Sequence, residues 1–450
     1  MGPCFVFARP AVQRVLVISY YFPPSGGPGV QRVLKTVKYL RDFGYEPTVL
    51  TVADGAYPQH DASLEADVPD GVEVHRTRAL DPFRIYGRLT GRSRTEAVTV
   101  GSVQQEKGLL GHLGRWLRAN VFLPDARVGW VPYAIREARR LHDAQPFDVI
   151  LTSGPPHSSH LIGRALKRQR ALPWVADFRD PWTGINFYHE LPMSAPARRL
   201  DRRLEHSVLR EADHITTVSP SWARLLAEQG ERATDAVTVV HNGYDEADID
   251  ADVQWETVPN AEHFTLTYVG SLYGSRNPMT LWAALSALRS TGALERLRIR
   301  LVGTMDETVQ QALAQRGLDA VTEAVPYVPH AEAITLMAKA TLLLLVVEPF
   351  ANAAGMITGK LYEYLATGRP VLALGEPEGD AARLLEETGG GQVVARDDAE
   401  AMAAVLREHY DAWAAGQPCP GASAEAVVPY TRRAQTGRLA AVLDAAQIPL

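Results

Sequence analysis

Short apolar runs alternate with longer amphipathic segments along most of the chain. Residues 14–21 form an apolar run, residues 30–40 carry apolar side chains at helical spacing, and a second apolar run, EPTVLTV, follows Gly44. Apolar residues three and four positions apart predict a helix with one buried face, whereas continuous apolar runs of this length predict buried strands. The order strand, helix, strand predicts two parallel strands joined by a right-handed crossover.

The same alternation recurs in two longer series. The first begins at residue 148 with DVILTSG and continues through WVADF, HITTVS and AVTVVHNG. The second begins near residue 263 with FTLTYVG and continues through LRIRLVG, TLLLLVV and PVLAL, with helical patterns between the runs. Residues 244–262 are rich in Asp, Glu, Ala and Pro without a clear period, and we interpret them as a linker.

These series predict an α/β protein with two Rossmann-like domains whose parallel sheets face each other across a cleft. The predicted bounds are 14–245 for the N-terminal domain, 263–428 for the C-terminal domain and 429–450 for a final helix that packs back toward the N-terminal domain. Residues 82–135 do not follow the alternation, and we interpret them as an insert in the N-terminal domain.

Length, charge and cysteine content narrow the class of protein. A chain of 450 residues fits two or three domains. Its net charge of −6 argues against a broad surface for nucleic acid, so we expect no nucleic-acid partner. Its two cysteines, Cys4 and Cys419, imply no disulfide framework, which favours a cytoplasmic setting. Neither a membrane-spanning helix nor a signal peptide is expected, because no apolar stretch approaches about 20 residues and no basic region precedes the apolar start.

The insert contains a basic amphipathic segment at residues 107–121. Five apolar residues fall roughly on one helical face with three basic residues nearby: Leu109, Leu113, Trp116, Leu117 and Val121, with Lys107, Arg115 and Arg118. Two interpretations stay open. The helix packs on its own domain, as most amphipathic helices do, or it lies on an anionic membrane surface and makes the protein peripheral at the inner face of the membrane.

Two turns of the first domain join a strand to a helix and carry candidate binding residues. The loop YFPPSGGPG contains Gly26, Gly27 and Gly29, which permit close approach of a ligand to the backbone, ahead of a helix whose free N–H groups attract anions. The loop is neither G-x-G-x-x-G nor a P-loop, so a flexible connecting turn is an equal alternative. The turn TSGPPHSSH places His157 where it can face a ligand or cap a helix.

The stretch ADFRDPWTG places three charged residues, Asp177, Arg179 and Asp180, at the carboxyl end of a buried strand. Charges in such a place cost free energy unless they are paired or functional. Open α/β sheets bind ligands just beyond these strand ends. The stretch therefore indicates either a binding site or a structural ion pair.

The second domain holds the densest set of candidates. YVGSLYGSRNP ends a strand with a glycine turn that carries Ser271 and Arg276, and a later loop leads into a helix at Thr358 and Gly359. The first N–H groups of that helix are free to bind a diphosphate, assisted by Arg276 and Lys360 as fixed cations. One turn into the helix, Glu363 can accept hydrogen bonds from a ribose diol. The alternative is an exposed helical pair of Lys360 with Glu363.

Together these stretches resemble glycosyltransferase family 4, the retaining enzymes of the GT-B fold. The resemblance rests on YYFPPSGGPGVQR, TSGPPHSSH, DFRDPW, VVHNGYD, YVGSLYGSRNP and KLYEYLATGRPV, the last being similar to the family's E-A-x-A-x-G-x-P-V segment. It implies a UDP- or GDP-type sugar donor bound by the C-terminal domain, an acceptor bound by the N-terminal domain, retention of anomeric configuration, and neither metal nor other cofactor. The family-level expectation is a hexosyltransferase of polysaccharide biosynthesis with a glycan or lipid-linked acceptor.

The family's motifs carry over to this chain with departures. Glu363 matches the second Glu of the family's E-x7-E motif, but the first would stand at Gly355, which leaves the identity of the donor sugar open. Arg276 resembles the family's basic residue after the first C-terminal strand. The family's nearby lysine has no match, and Lys360 can supply its charge. Arg179 stands where many members carry a His.

We therefore predict three sets of site residues. The catalytic set is Arg276, Lys360, Asp180 and Arg179. The donor-binding set is Gly26, Gly27, Gly29, Ser271, Thr358, Gly359 and Glu363. The acceptor-side candidates are His157 and Asp177. In this hypothesis the cations and the helix N-terminus stabilise the departing diphosphate without a metal ion.

Three other functions remain to be weighed. A sugar-nucleotide epimerase has the same fold and would alter the donor without an acceptor. A non-catalytic nucleotide-sugar-binding protein is kept open by Gly355. An NAD-dependent dehydrogenase is disfavoured because neither domain contains G-x-G-x-x-G.

Overall fold

The computed structural model describes residues 12–55, 57, 60–80, 109–249 and 262–448. The chain divides into two compact units. Of the described residues, the first unit comprises those up to 218, those at 222–241 and those from 435 on, and the second comprises those at 219–221 and 242–434. Each unit contains one parallel sheet with helices between its strands.

The first unit contains a seven-stranded sheet in the order β3-β2-β1-β4-β5-β6-β7, and its neighbouring strands pair in parallel. The strands are β1 (Gln13–Ile18), β2 (Tyr45–Val52), β3 (Glu73–Thr77), β4 (Val149–Gly154), β5 (Trp174–Phe178), β6 (His214–Thr217) and β7 (Val237–Val239). The helices are α1 (Pro28–Leu40), α2 (Leu109–Val121), α3 (Val131–Ala144), α4 (Ser158–Arg170), α5 (Ala195–Glu211) and α6 (Pro220–Gln229). The strand order reverses between β1 and β4, where doubly wound sheets bind ligands.

The second unit contains a six-stranded parallel sheet in the order β10-β9-β8-β11-β12-β13. The strands are β8 (Phe264–Val269), β9 (Leu297–Val302), β10 (Thr322–Val325), β11 (Leu342–Val346), β12 (Val371–Leu374) and β13 (Gly391–Val394). The helices are α7 (Met279–Ser290), α8 (Glu307–Ala314), α9 (His330–Ala338), α10 (Gly359–Ala366), α11 (Asp380–Thr388), α12 (Ala399–Ala414) and α13 (Ala424–Val427). The reversal in this sheet lies between β8 and β11.

Apolar residues cover both faces of each sheet, as parallel sheets require. β4 and β8 are buried along their whole length. In the first unit, one face packs against a cluster that includes the fully buried Trp130, and the other packs against α1. The last helix, α14 (Arg432–Ala446), contributes apolar residues from Leu439 onward to the face that α1 covers.

The prediction of two parallel α/β sheets is confirmed, and the helix predicted at 30–40 is α1. The strand β3 was not predicted, because its residues are mostly exposed or half-buried and form no apolar run. Residue 135, the predicted end of the insert, lies inside α3, which leads into β4 as an ordinary crossover helix. Residues 81–108, most of the predicted insert, lie outside the described residues.

Candidate functional site

The strands on either side of the reversal in the second sheet separate at their carboxyl ends. β8 and β11 pair only through Leu266 and Thr267 of β8. Beyond that point the hydroxyl of Tyr364 on α10 forms hydrogen bonds with both strands. This hydroxyl accepts a hydrogen bond from Val269 N at 3.0 Å and donates one to Leu344 O at 3.3 Å. The fully buried Tyr364 thus joins the two diverging strands to the helix that carries Lys360 and Glu363.

Lys360 lies directly over the end of β8. A Cβ atom on Gly270 would stand 1.9 Å from Lys360 Nζ, and Gly270 has φ +135°, so glycine is needed here both for space and for backbone conformation. The ammonium also lies 5.6 Å from the ring centre of Tyr268. Among the described residues, none pairs with Lys360 Nζ through a hydrogen bond or ion pair. Burial, with the nearby Arg276, lowers the pKa of Lys360 to about 8.

Arg276 is partly neutralised inside the protein. Its Nε lies 3.6 Å from Glu348 Oε2, and its guanidinium stacks 5.0 Å from the ring centre of Tyr273. Arg276 Nε is buried and makes no hydrogen bond with a described residue. Ser275 also donates to Glu348, and Arg396 donates to Ser275 O at 2.7 Å. These contacts hold the turn Gly274–Arg276 against the end of β11.

The N-terminus of α10 has free donors. Thr358 is the residue before the helix, but its side chain makes no capping hydrogen bond, and its buried hydroxyl has no partner among the described residues. The first N–H groups of the helix, beginning at Gly359, therefore meet no side-chain acceptor among the described residues. Gly355 lies in the preceding turn Ala353–Gly355 and is itself buried. An anion at this position would meet both the partial positive charge of the helix and the hydroxyl.

Glu363 and Ser271 are each held by a neighbour. Glu363 Oε1 lies 3.1 Å from His330 Nε2 at the start of α9, so the alternative of a helical ion pair between Lys360 and Glu363 is not observed among the described contacts. Ser271 Oγ shares a hydrogen bond of 2.7 Å with Thr304 Oγ1. The second carboxylate oxygen of the half-buried Glu363 makes no hydrogen bond with a described residue.

Asp177 occupies a buried polar cluster in the first unit. Its two oxygens accept hydrogen bonds from Arg32 Nε at 3.0 Å and Nη2 at 2.7 Å, from Ser153 at 2.9 Å and from Thr216 at 2.8 Å. Burial raises the pKa of Asp177, but Arg32 and the two hydroxyls hold it below its ordinary value. Because a carboxylate has about four acceptor positions, Asp177 is fully occupied by the protein, as in a structural ion pair.

Arg179 connects two loops at the reversal of the first sheet. Its Nε donates to Gly154 O at 3.1 Å and its Nη2 to Pro155 O at 2.5 Å, after β4. Its Nη1 faces Gly29 at the start of α1, where a Cβ would stand only 1.9 Å away. Burial raises the pKa of Asp180, against the opposing charge of Arg179. Arg179 therefore lies beside the N-terminus of α1, against Gly29 of the loop that also contains Gly26 and Gly27.

His157 belongs to an aromatic stack at the end of β4. Its ring lies parallel to Trp182 at 4.9 Å, and the ring of His160 stacks on Phe178 at 4.3 Å. Burial lowers the pKa of both histidines, that of His160 to about 3, so both are neutral at pH 7. His157 Nδ1 is buried and has no described partner.

Sequence reasoning missed several residues of these sites: Tyr364, Glu348, His330, Arg32 and Trp182. The motif contained one signal for these residues. Directly after Glu363, where the family's segment has a small alanine, this chain has the bulky Tyr364. Within the described residues, no group of three or more His, Cys, Asp or Glu side chains could hold a metal ion. No described helix is long and apolar enough to cross a membrane.

Two domain families match the chain in succession. A glycosyl transferase 4-like domain matches residues 26–243, and a glycosyl transferases group 1 domain matches residues 263–412. No curated protein sequence matches the chain.

Solved structures share the fold at low sequence identity. Sucrose-phosphate synthase from Thermosynechococcus elongatus has a TM-score of 0.59 and 16% identity over 97% of this chain and 96% of its own. HepE from Anabaena, solved in complex with UDP-glucose, has a TM-score of 0.57 and 17% identity over 96% and 99% of the two chains. A putative UDP-N-acetylglucosamine 2-epimerase from Listeria monocytogenes has a TM-score of 0.53 and 13% identity over 96% of each chain. At these identities the structural similarity shows the GT-B fold only. Evidence about the reaction comes from the domain matches and from the residues of the site.

Proposed function

Since its two successive domains make this chain a glycosyltransferase of the GT-B fold, we propose that it transfers a hexose from a UDP- or GDP-type sugar donor to a hydroxyl of a glycan or lipid-linked acceptor. We further propose family 4 membership and retention of configuration. The predicted role in polysaccharide biosynthesis and the cytoplasmic setting belong to the same proposal.

One observation carries the donor assignment. Lys360 holds a desolvated ammonium over Gly270, with no hydrogen-bond or ion-pair partner among the described residues, at the point where β8 and β11 diverge. A desolvated cation without an ion-pair partner is costly, and an anionic ligand would offset that cost. The unpartnered hydroxyl of Thr358 and the free N-terminus of α10 supply further donors on the same helix.

The proposed mechanism follows from these charges. When the bond between the sugar and the diphosphate breaks, negative charge grows on the leaving oxygen. Lys360, Arg276 and the N–H groups at Gly359 would stabilise that charge more in the transition state than in the ground state. We propose that these groups make a metal ion unnecessary. Glu363, held by His330, would accept hydrogen bonds from the ribose.

The first unit supplies two residues of the proposed catalytic set, Arg179 and Asp180, and the acceptor-side candidates His157 and Asp177. Arg179 retains an N–H group facing Gly29 and lies beside Asp180 at the carboxyl end of β5. His157 is neutral and can accept or donate a hydrogen bond to a hydroxyl. Asp177 would act only through Arg32, because its oxygens are already occupied.

Alanine variants at the two cations test the proposal. Removing one such donor typically lowers turnover about 100–1000-fold, so Lys360→Ala and Arg276→Ala should lose activity on that scale with the true donor. Lys339→Ala, at an exposed lysine of the same unit, is the matched control and should behave as wild type. Wild-type turnover in both cation variants would remove this mechanism.

Two further arms separate the alternatives. Glu363→Ala should weaken binding of UDP or GDP in calorimetry while leaving the thermal midpoint unchanged. Incubation of the donor without an acceptor distinguishes an epimerase, which alters the sugar, from a glycosyltransferase, which does not. Tight nucleotide-sugar binding without turnover on any glycan or lipid-linked acceptor would favour the non-catalytic alternative that Gly355 suggests.

A further inference from the structure

Helix α5 turns Asp201 and Glu205 inward and the arginines of its first half outward. Asp201 accepts hydrogen bonds from Trp182 and Tyr188, Glu205 accepts from Thr183, and both carboxylates are buried. Three arginines in the first half of the helix are exposed and one is half-buried: Arg199, Arg202 and Arg203, with Arg198. Among the described residues, none of the four forms an ion pair. This face of the helix is therefore purely cationic.

Exposed apolar residues of α2 adjoin the start of α5. Asn120 near the end of α2 donates to Pro192 O at 2.8 Å and accepts from Ser194 N at 2.7 Å, and Ser194 is the residue that caps α5. Trp116, Leu117 and Val121 flank Asn120 on the same helical face, and their exposed fractions are 47%, 40% and 58%.

The α5 helix adds one apolar side chain of its own. Leu200 is 49% exposed and lies between Arg199 and Arg202 in the sequence. Arg115 and Arg118 of α2 are both half-buried and both have partners within the protein, so neither is a free surface cation. The positive charge beside the apolar residues therefore comes from α5, which the amphipathic pattern of residues 107–121 does not include.

We propose that this surface binds an anionic phospholipid bilayer; we name it the α2–α5 surface, formed by Trp116, Leu117, Val121, Arg198, Arg199, Leu200, Arg202 and Arg203. Arginines near an anionic membrane surface gain binding free energy from lipid phosphates, and large apolar side chains beside them enter the interface. Tryptophan is enriched at this boundary because its ring is amphipathic. An acidic protein segment or a nucleic acid would satisfy the arginines but leave the four apolar side chains in water.

Membrane binding by the α2–α5 surface goes beyond the proposed function. It depends on that function in one respect only, namely that a lipid-linked acceptor would be reached at the membrane. The binding of this surface to lipid can be measured without any sugar donor. Donor binding can in turn be measured without lipid. A failure of one proposal therefore leaves the other standing.

Vesicle sedimentation of the full chain tests the surface. The protein should sediment with vesicles of equimolar phosphatidylcholine and phosphatidylglycerol at low salt, be released at high salt, and stay in solution with phosphatidylcholine alone. The double variant Arg199→Gln/Arg202→Gln should lower partitioning about 10–30-fold, at about 1 kcal/mol per arginine. Trp116→Ser should lower it further by removing an interfacial anchor.

A matched pair of arginines controls for total charge. Arg136 and Arg139 on α3 are exposed and have the same spacing in the helix, so Arg136→Gln/Arg139→Gln removes the same charge from another face. This control should sediment as wild type, and all variants should keep the wild-type thermal midpoint. The proposal is overturned if wild type does not bind the anionic vesicles, if both double variants lose binding equally, or if single-stranded DNA or an acidic peptide displaces the vesicles.

Discussion

The hydroxyl of Tyr364 lies 3.0 Å from the backbone nitrogen of Val269, at the point where β8 and β11 cease to pair. One side chain of α10 therefore completes the hydrogen bonding of two strands and fixes the helix relative to them. Lys360 lies one turn earlier on the same helix, and its height over Gly270 depends on that anchor.

Removing the hydroxyl of Tyr364 should affect both stability and donor binding. In Tyr364→Phe, Val269 N and Leu344 O lose their partner in a buried place, which typically costs about 1–3 kcal/mol. We expect a lower free energy of unfolding by denaturant and a weaker affinity for UDP or GDP, because Lys360 loses its fixed position. Tyr410→Phe is the control, since its hydroxyl accepts from the exposed Arg296 N, which water can serve instead. Equal losses in the two variants would contradict this account.

The affinity for nucleoside diphosphates should depend on the protonation of Lys360. Its pKa of about 8 means that the ammonium is charged below that pH and becomes neutral above it. Binding of UDP or GDP should weaken by roughly tenfold between about pH 7 and about pH 9.5, because one charge-assisted hydrogen bond is lost. The terminal phosphate has its pKa near 6 and stays ionised over this range.

The arginine variant separates this effect from other titrations. Lys360→Arg remains charged throughout, so its affinity measured by calorimetry should stay level over the same pH range. A decline in Lys360→Arg as steep as that of wild type would assign the pH dependence to another group.

Gly29 leaves room for the guanidinium of Arg179. In Gly29→Ala the new Cβ would stand 1.9 Å from Arg179 Nη1, so the guanidinium must move and its bond to Pro155 O is disturbed. We expect kcat/KM to fall about 10–100-fold, as for other small displacements of site groups. The thermal midpoint should change little, because the obstructing atom is the end of a flexible side chain.

Gly114→Ala is the matched control for that substitution. Gly114 lies inside α2 with nothing within 4 Å of the added Cβ. Alanine should stabilise this helix by up to about 1 kcal/mol and leave the activity unchanged. Wild-type activity in Gly29→Ala would show that Arg179 has no part in the reaction.

Glu205 should make the stability of the first unit depend on pH. Burial raises its pKa to about 7, well above that of an unfolded glutamate. The folded state therefore binds the proton more tightly than the unfolded state does. The stability that results is fully present below about pH 4 and is lost as the pH rises through 7.

Glu205→Gln removes this dependence without removing the contacts. The amide oxygen can still accept from Thr183 N, and the amide N–H can donate to the Thr183 hydroxyl. At pH 8 the variant should melt a few degrees higher than wild type, roughly 1–3 kcal/mol of stability, and at pH 5 the difference should shrink. A difference that is constant with pH would mean that the carboxyl does not titrate in this range.

The sequence by itself determined the two parallel sheets and the edge of each sheet at which the candidate residues gather. Buried strands and helix faces can be predicted from local sequence, because they appear as apolar runs and as apolar residues at helical spacing. Parallel strands then bring their carboxyl ends to one edge of the sheet. For this reason the sequence alone places Arg179 after β5 and Arg276 after β8, each beyond the carboxyl end of a strand. The strand β3 has no apolar run, because it is an edge strand and exposes much of its surface.

Only the tertiary structure decided which partner each charged side chain meets. Arg32 neutralises Asp177 across 145 positions of sequence, and His330 rather than Lys360 holds Glu363. The local spacing of a motif contains no information about side chains that approach from distant segments. Packing likewise buried Asp201 and Glu205 of α5, which accept hydrogen bonds there. It left the arginines of the first half of the helix to solvent, because burying an unpaired charge costs more free energy than exposing it.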